Sequence, residues 1–147
     1  MLDQVTDGPK PALVRDLGAV YHTGTAADLK LVADIVVECT GAPTVVLDCI
    51  GHNAPVGIVC LAGVSSGGRE LPADLGRLNR TLVLENDVVF GSVNANRRHY
   101  EAAARALARA DPAWLARLIS RRVPLDRWAE ALDRRPDDVK LVLDLTL

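Results

Sequence analysis

The sequence predicts an α/β domain: a mostly parallel sheet flanked by helices. Three observations carry that expectation. The runs Asp34–Cys39 and Gly57–Leu61 are short, β-branched and largely continuous, as strands buried on both faces are. Segments with apolar residues at helical spacing alternate with such runs along the chain. Loops of small or polar residues follow the runs at their carboxyl ends, which is where connections leave a parallel sheet.

The elements follow in order. After a Gly8-Pro9 turn, Leu13, Val14 and Leu17 fall at helical spacing, Gly18 stands where a helix stops, and Ala19–His22 reads as a short strand. Ala27–Leu31 gives one helical turn before the Asp34–Cys39 strand, which Thr40-Gly41 ends. Pro43 occupies a first helical position, and Thr44–Ile50 carry an apolar helix closed by Gly51. The Gly57–Leu61 strand runs into the glycine-rich loop Ala62–Gly68. Leu82–Leu84 and Val88–Val93 are two more expected strands, separated by the turn-like Glu85-Asn86-Asp87. From Arg97 to Ala110, Tyr100, Ala103, Ala104, Leu107 and Ala108 form one face of a helix that Asn94 or Asn96 would cap. Asp111-Pro112 breaks it, Trp114, Leu115, Leu118 and Ile119 mark a second helix, and Pro124 introduces a third around Trp128–Leu132. Leu141–Leu145 closes the chain as a strand.

Composition narrows the function classes. Of 147 residues 49% are hydrophobic and 24% charged, with a net charge of -2, so the chain reads as one globular domain rather than a disordered one. No apolar stretch approaches the roughly 20 residues of a membrane span, and the acidic start lacks the basic region of a signal peptide, so a cytoplasmic location is expected. Arg and Asp/Glu are interspersed, which disfavours nucleic acid as a partner. Cys39, Cys49 and Cys60 match neither a disulfide framework nor a CxxC site and are expected to be small buried apolar residues; His22, His52 and His99 stand alone, so no metal site is expected.

In sheets of this kind ligands bind outside the carboxyl ends of the strands, which singles out Thr40-Gly41, Gly63–Gly68 and Ser92–Asn96. A dinucleotide-binding domain should also carry G-x-G-x-x-G after its first strand and an acidic residue at the end of the second. The glycine fingerprint is not in this chain. If Leu2-Asp3 ends that second strand, Asp3 is the ribose-binding acid and the chain begins just after the phosphate-binding half of the fold; otherwise Asp3 is an ordinary exposed residue near a terminus.

At Glu38-Cys39-Thr40-Gly41-Ala42, and above all at Gly91-Ser92-Val93-Asn94-Ala95-Asn96-Arg97-Arg98-His99-Tyr100, the chain resembles the C-terminal, cofactor-binding domain of glucose 1-dehydrogenases, in the zinc-dependent medium-chain alcohol dehydrogenase superfamily. The resemblance covers essentially all of residues 1–147. It implies a partial Rossmann-like sheet lacking the first strand and the glycine-rich loop. Full-length members oxidise an aldose at C1 and pass hydride to NAD(P)+, with zinc held in an N-terminal GroES-like domain that has no counterpart here. By the same resemblance Thr40 and Gly41 lie near the adenosine end of the cofactor, Leu61, Ala62, Gly63 and Val64 near the nicotinamide, and Asn94 contacts the nicotinamide end, with Ser92 of the same motif a further cofactor-binding candidate. A carboxylate at Asp3 accepts from free ribose hydroxyls and repels a 2′-phosphate, which favours NAD over NADP. No catalytic residue and no zinc ligand can be assigned in this chain. A sugar substrate is expected only with the missing domain.

The expected function is therefore the cofactor-binding part of an NAD(P)-dependent glucose dehydrogenase-like oxidoreductase, inactive as an isolated chain. The alternative is a non-catalytic binding or oligomerisation module derived from that fold. A methyltransferase-like Rossmann enzyme is disfavoured by Ser92–Tyr100. The absent first strand would leave the edge of Asp34–Cys39 bare, so the isolated chain should fold poorly or complete its sheet with another chain, including a homo-oligomer. Arg97, Arg98 and His99 could bind a phosphate or form a solvated helix start. His52 beside Asn53 reads as a helix-end loop, Trp114 and Trp128 as core, and Leu82–Leu84 with Val88–Val93 as a subunit interface by analogy.

Overall fold

The computed structural model describes residues 1–29, 32–68 and 70–146. It divides into two compact units, Gly24–Asn94 and Met1–Thr23 with Ala95–Leu147. Both are α/β, with parallel strands in sheets flanked by helices.

The unit Gly24–Asn94 repeats strand, helix, strand. Its elements are α2 (Ala26–Leu29), β1 (Ala33–Glu38), α3 (Pro43–Gly51), β2 (Asn53–Leu61), α4 (Leu75–Glu85) and β3 (Val88–Gly91), with α1 (Pro9–Asp16) lying earlier in the chain. Of the helical turn expected at Ala27–Leu31, the last two residues lie outside the described residues. The three strands pair in the order β1-β2-β3, all parallel. Val59, fully buried at the middle of β2, is the centre of this small core. Pro43 opens α3 as expected, and Gly51 is its last residue.

The strand expected at Leu82–Leu84 is instead the last turn of α4. Three apolar residues in a row do not distinguish strand from helix. The deciding features lie outside them: Asp74 accepts a hydrogen bond from Arg77 N at 2.9 Å as the N-cap, and Asn86 takes the left-handed conformation (φ 58°) as the C-cap. Leu78, Thr81, Leu82 and Glu85 are the half-covered residues of this helix, a spacing of three and four. The strand expected over Val88–Val93 ends at Gly91. At the opposite end of the sheet the pairing jumps from Ala33↔Asn53 to Ile35↔Ile58. Asp87 Oδ1 accepts from Gly57 N at 3.1 Å and ties β2 past this bulge to the start of β3.

The other unit contains α1 (Pro9–Asp16), α5 (Arg97–Arg109), α6 (Pro112–Leu118), β4 (Ile119–Pro124), a 3-10 helix (Leu125–Ala131) and β5 (Lys140–Asp144). The expected strand Ala19–His22 reduces to a single parallel bridge, Leu2↔His22. Ala19 N is still spent on Val14 O beyond the end of α1; Val20 O receives only the Met1 amino group, and the ladder with the first residues is made at His22. Asn96 caps α5 by accepting from His99 N at 3.1 Å; Asn94 does not serve. The apolar face of α5 exists but is uncovered, with Tyr100 and Leu107 exposed.

Asp111 caps α6, whose Trp114 donates its indole N–H to Leu13 O at 2.9 Å against the buried Leu13. Ile119, expected at the end of that helix, opens β4, a strand that the polar run Ser120-Arg121-Arg122 hides from sequence patterning. β4 pairs in parallel with β5, and Val123 of β4, level with Leu143, is buried. Arg121 stabilises the connection: its guanidinium meets both carboxylate oxygens of Asp138 at 2.7 and 3.2 Å and donates to the carbonyls of Glu130 and Asp133. Trp128 is exposed rather than core, because the 3-10 helix carries it on a turn with no buried residue. The cysteines also depart from expectation. Cys39 is exposed just past the end of β1, and Cys49 and Cys60 are only partly covered.

β1 is an edge strand, and its Ile35 and Val37 are 65% and 59% exposed. Unpaired apolar edges template association. The 147-residue chain is expected to self-associate on concentration, read as a rise in mass by light scattering across a dilution series; a stable monomer with a cooperative melt would refute this.

Candidate cofactor site

The parallel register brings three strand ends level. Glu38 of β1 pairs with Leu61 of β2, and Leu61 with Gly91 of β3. The segments that follow, Cys39–Ala42, Ala62–Ser65 and Ser92–Asn94, therefore leave the same edge of the sheet. They are the loops on which a ligand of such a sheet sits.

Glu38, to which sequence reasoning gave no role, organises them. It is buried, 2% exposed, and its carboxylate faces back into its own loop. Oε1 accepts from Thr40 N at 2.6 Å, from Thr40 Oγ1 at 2.5 Å and from Gly41 N at 3.1 Å; Oε2 also accepts from Gly41 N at 3.1 Å. Its backbone carbonyl accepts from Ala62 N at 2.8 Å and Gly63 N at 3.0 Å, so one residue ties the β1 and β2 loops together. Burial alone would push this carboxyl up, but the hydrogen bonds from Thr40 and Gly41 outweigh it and hold the carboxyl below its ordinary value. On α3, burial first, then the nearby Glu38 and Asp48 carboxylates, push the Cys49 thiol up, which makes it a poor nucleophile.

Two glycines let the loops meet. Gly41 has φ +66°, and a Cβ there would lie 2.5 Å from Val64 O. A Cβ on Gly63 would lie 2.1 Å from Gly41 N and 2.8 Å from Glu38 Oε2. No side chain fits at either position, so this part of the site is backbone.

The expected site residues fall out as follows. Thr40 is present at the loop, yet its hydroxyl donates to Glu38 and accepts from Ala42 N at 3.0 Å, so its side chain holds the turn. Gly41 and Gly63 form the interlock. Leu61 contributes its carbonyl, which accepts from Ser92 N at 2.9 Å and fixes the third loop to the second. Ala62, Val64, Ser92 and Asn94 are exposed on these loops. Asp3 belongs to the other unit. There it follows the Leu2↔His22 bridge, its Oδ1 accepts from Gln4 N and Val5 N at 2.7 and 3.3 Å, and its Oδ2 lies 3.2 Å from Lys10 Nζ. Burial works against the charge, but Lys10 and the two amides win, leaving the carboxyl below its ordinary value.

Other polar candidates lead elsewhere. Arg97 is committed to Glu101 at 2.9 Å on an exposed helix face, and His52 Nδ1 lies 2.9 Å from Asp48 O at the end of α3. A cleft of about 220 Å³ between α3 and α4, and one of about 320 Å³ lined by Asp16, Trp114 and Arg117, are lined by none of the expected site residues. Among the described residues no three His, Cys, Asp or Glu side chains come close enough to hold a metal, so this donor set does not fit zinc. Level strand ends with backbone-lined loops do fit a dinucleotide.

A family model described as glucose dehydrogenase C-terminus matches residues 1–145. The chain belongs to this family. Glucose 1-dehydrogenase 1 of Caldivirga maquilingensis is 42% identical over 142 residues, 95% of this chain and 40% of that protein. The chain thus spans about two fifths of the length of the curated relatives it matches. The crystal structure of glucose dehydrogenase from Haloferax mediterranei superposes with a TM-score of 0.85 at 26% identity, over 95% of this chain and 41% of that one. An alcohol dehydrogenase from Thermotoga maritima superposes with a TM-score of 0.76 at 21% identity, over 92% of this chain and 41% of that one, which shows the shared fold.

Two outcomes test the loop architecture. Gly63→Ala should destabilise the chain by about 1–3 kcal/mol in urea unfolding, as overpacking against backbone does. Gly67→Ala, facing open space, should stay within about 0.5 kcal/mol. The second outcome concerns pH. Glu38 stays ionised to lower pH in the folded than in the unfolded chain, so its contribution is full above the unfolded value and is lost as pH falls through the folded one. The stability difference between wild type and Glu38→Gln should therefore shrink on acidification; a constant difference would exclude an ionised Glu38.

Proposed function

We propose that this chain is the nicotinamide-dinucleotide-binding part of an aldose 1-dehydrogenase, with NAD as the favoured cofactor, and that it does not transfer hydride alone. The level strand ends at Glu38, Leu61 and Gly91 carry this reading, because they bring three loops to one edge of the sheet inside one compact unit. The relative from Haloferax mediterranei has been crystallised with NADP, zinc and gluconolactone, the oxidation product of glucose at C1. Among the described residues no cluster of His, Cys, Asp or Glu could hold a metal, so on this reading metal-assisted chemistry draws its ligands from elsewhere in such an enzyme. The sequence also carries no glycine fingerprint to cradle the pyrophosphate.

The preference for NAD rests on Asp3. A carboxylate held in its ionised form accepts hydroxyl donors and repels a 2′-phosphate. Lys10, 3.2 Å away, fixes that carboxylate and tempers the repulsion. A second reading, a non-catalytic binding or homo-oligomerising module, draws on the uncovered face of α5 and the open edge of β1.

Calorimetric titration of the purified chain separates these readings. NAD should bind in the micromolar range and NADP about tenfold more weakly. Asp3→Asn should narrow that gap, while glucose plus NAD should yield no reduced nicotinamide. Failure of both nucleotides to bind would favour the non-catalytic module, and turnover by this chain alone would overturn the claim of inactivity.

A further inference from the structure

We propose that Glu38 is a positioning residue for nucleotide binding: its carboxylate holds the Thr40–Gly41 turn in the shape that receives Gly63, and so sets the backbone surface a dinucleotide meets. The inference rests on the cofactor reading of these loops and adds what fixes them.

Three donors of the turn, Thr40 N–H, Thr40 O–H and Gly41 N–H, converge on this one carboxylate. Successive amides and a hydroxyl pointing into one concavity form an anion-binding nest, and such nests commonly take phosphate. Here the nest is filled by the chain's own anion. A phosphate brought to the turn would find its donors spent and a buried negative charge behind them. The part of a dinucleotide that meets this loop is therefore uncharged, a sugar or a base, and it meets backbone rather than the Thr40 hydroxyl.

The same residue couples the two loops. Its main chain receives Ala62 N and Gly63 N, while its side chain shapes the Gly41 backbone, against which Gly63 packs too closely for a Cβ. Loosening the carboxylate should thus disturb the β2 loop, whose amides do not touch that carboxylate. In Glu38→Gln the amide oxygen can take the Oε1 place and keep the three donors, but the negative charge that strengthens each of those bonds is gone and the NH2 at the Oε2 place opposes Gly41 N–H, which that oxygen also received.

The test compares wild type, Glu38→Gln, Thr40→Val and Thr40→Ser by amide hydrogen exchange and by NAD titration, at a temperature where each is folded by circular dichroism. Glu38→Gln should speed exchange together in residues 39–42 and 62–65, with other segments unchanged, and weaken NAD binding about tenfold. Thr40→Val should shift both readouts in the same direction by less, and Thr40→Ser, which restores the hydroxyl, should return them to wild-type values. A uniform rise in exchange across the chain with unchanged affinity would mark Glu38 as merely structural and overturn the proposal. Unchanged exchange in residues 62–65 would overturn it equally. If wild type bound no NAD, the cofactor reading would fail and the role in nucleotide binding with it, while exchange in the two loops would still report whether Glu38 couples them.

Discussion

The candidate site depends on one buried carboxylate satisfied by its own loop. Burying an ionised group is costly unless strong hydrogen bonds replace water, and Glu38 recovers that cost from donors within three residues of itself. Because the partners are local, the turn after β1 is defined before any ligand arrives. Because the carbonyl of the same residue anchors the β2 loop, the definition spreads to the second strand end. Ser92 N bonded to Leu61 O extends it to the third. Three loops thus inherit their placement from a parallel register and one acid.

The rest of the structure is held with less redundancy. Among the described residues Val59 and Ala54 are buried apolar side chains in one unit and Pro11, Leu13 and Val123 in the other, while Ile35, Val37, Tyr100 and Leu107 face solvent. Apolar burial is the main force available to offset chain entropy, so so few buried side chains leave little margin. Local devices carry a correspondingly larger share: capping acids at Asp74 and Asp111, Asn96 at α5, and the Arg121 fork that closes the loop between β4 and β5. Arg121 is the more effective for being shielded, with its guanidinium and the Asp138 carboxylate each about one-eighth exposed.

Much of the fold was legible because its signals were local. The β-branched runs gave β1 and β2, Pro43 gave the start of α3, and Asn96 before an alanine-rich face gave α5. What failed needed information from outside the segment. Leu82–Leu84 looks like a strand until the cap at Asp74 and the left-handed Asn86 assign it to a helix. Ser120-Arg121-Arg122 looks like a surface until β5 supplies a neighbour and Asp138 a partner. Val20 and Tyr21 had strand-like composition but only His22 found a bridge. At the site, position was readable and role was not. The small residues at 41 and 63 pointed to the loops, whereas the function of Glu38 appears only when its side chain is seen to turn back on the two residues that follow Cys39. The one sequence signal was an acid two positions before Thr-Gly at a strand end.

A site made of backbone has a consequence for how it discriminates between ligands. Interlocked glycines and carbonyls present fixed dipoles and shape, not charge, so they suit the neutral sugar and base portions common to NAD and NADP. On the proposed reading, discrimination between the two cofactors rests on a charged group at the 2′ position, the place we propose for Asp3, which is paired with Lys10. Under that proposal the pairing makes the choice graded rather than absolute. The carboxylate repels a phosphate while the ammonium attracts it, and the balance turns on which of the two faces the ribose. In that proposal the loops that meet the cofactor and the acid that selects it are separate devices, one held by a buried carboxylate and the other by a partly exposed ion pair, so either can change without rebuilding the other.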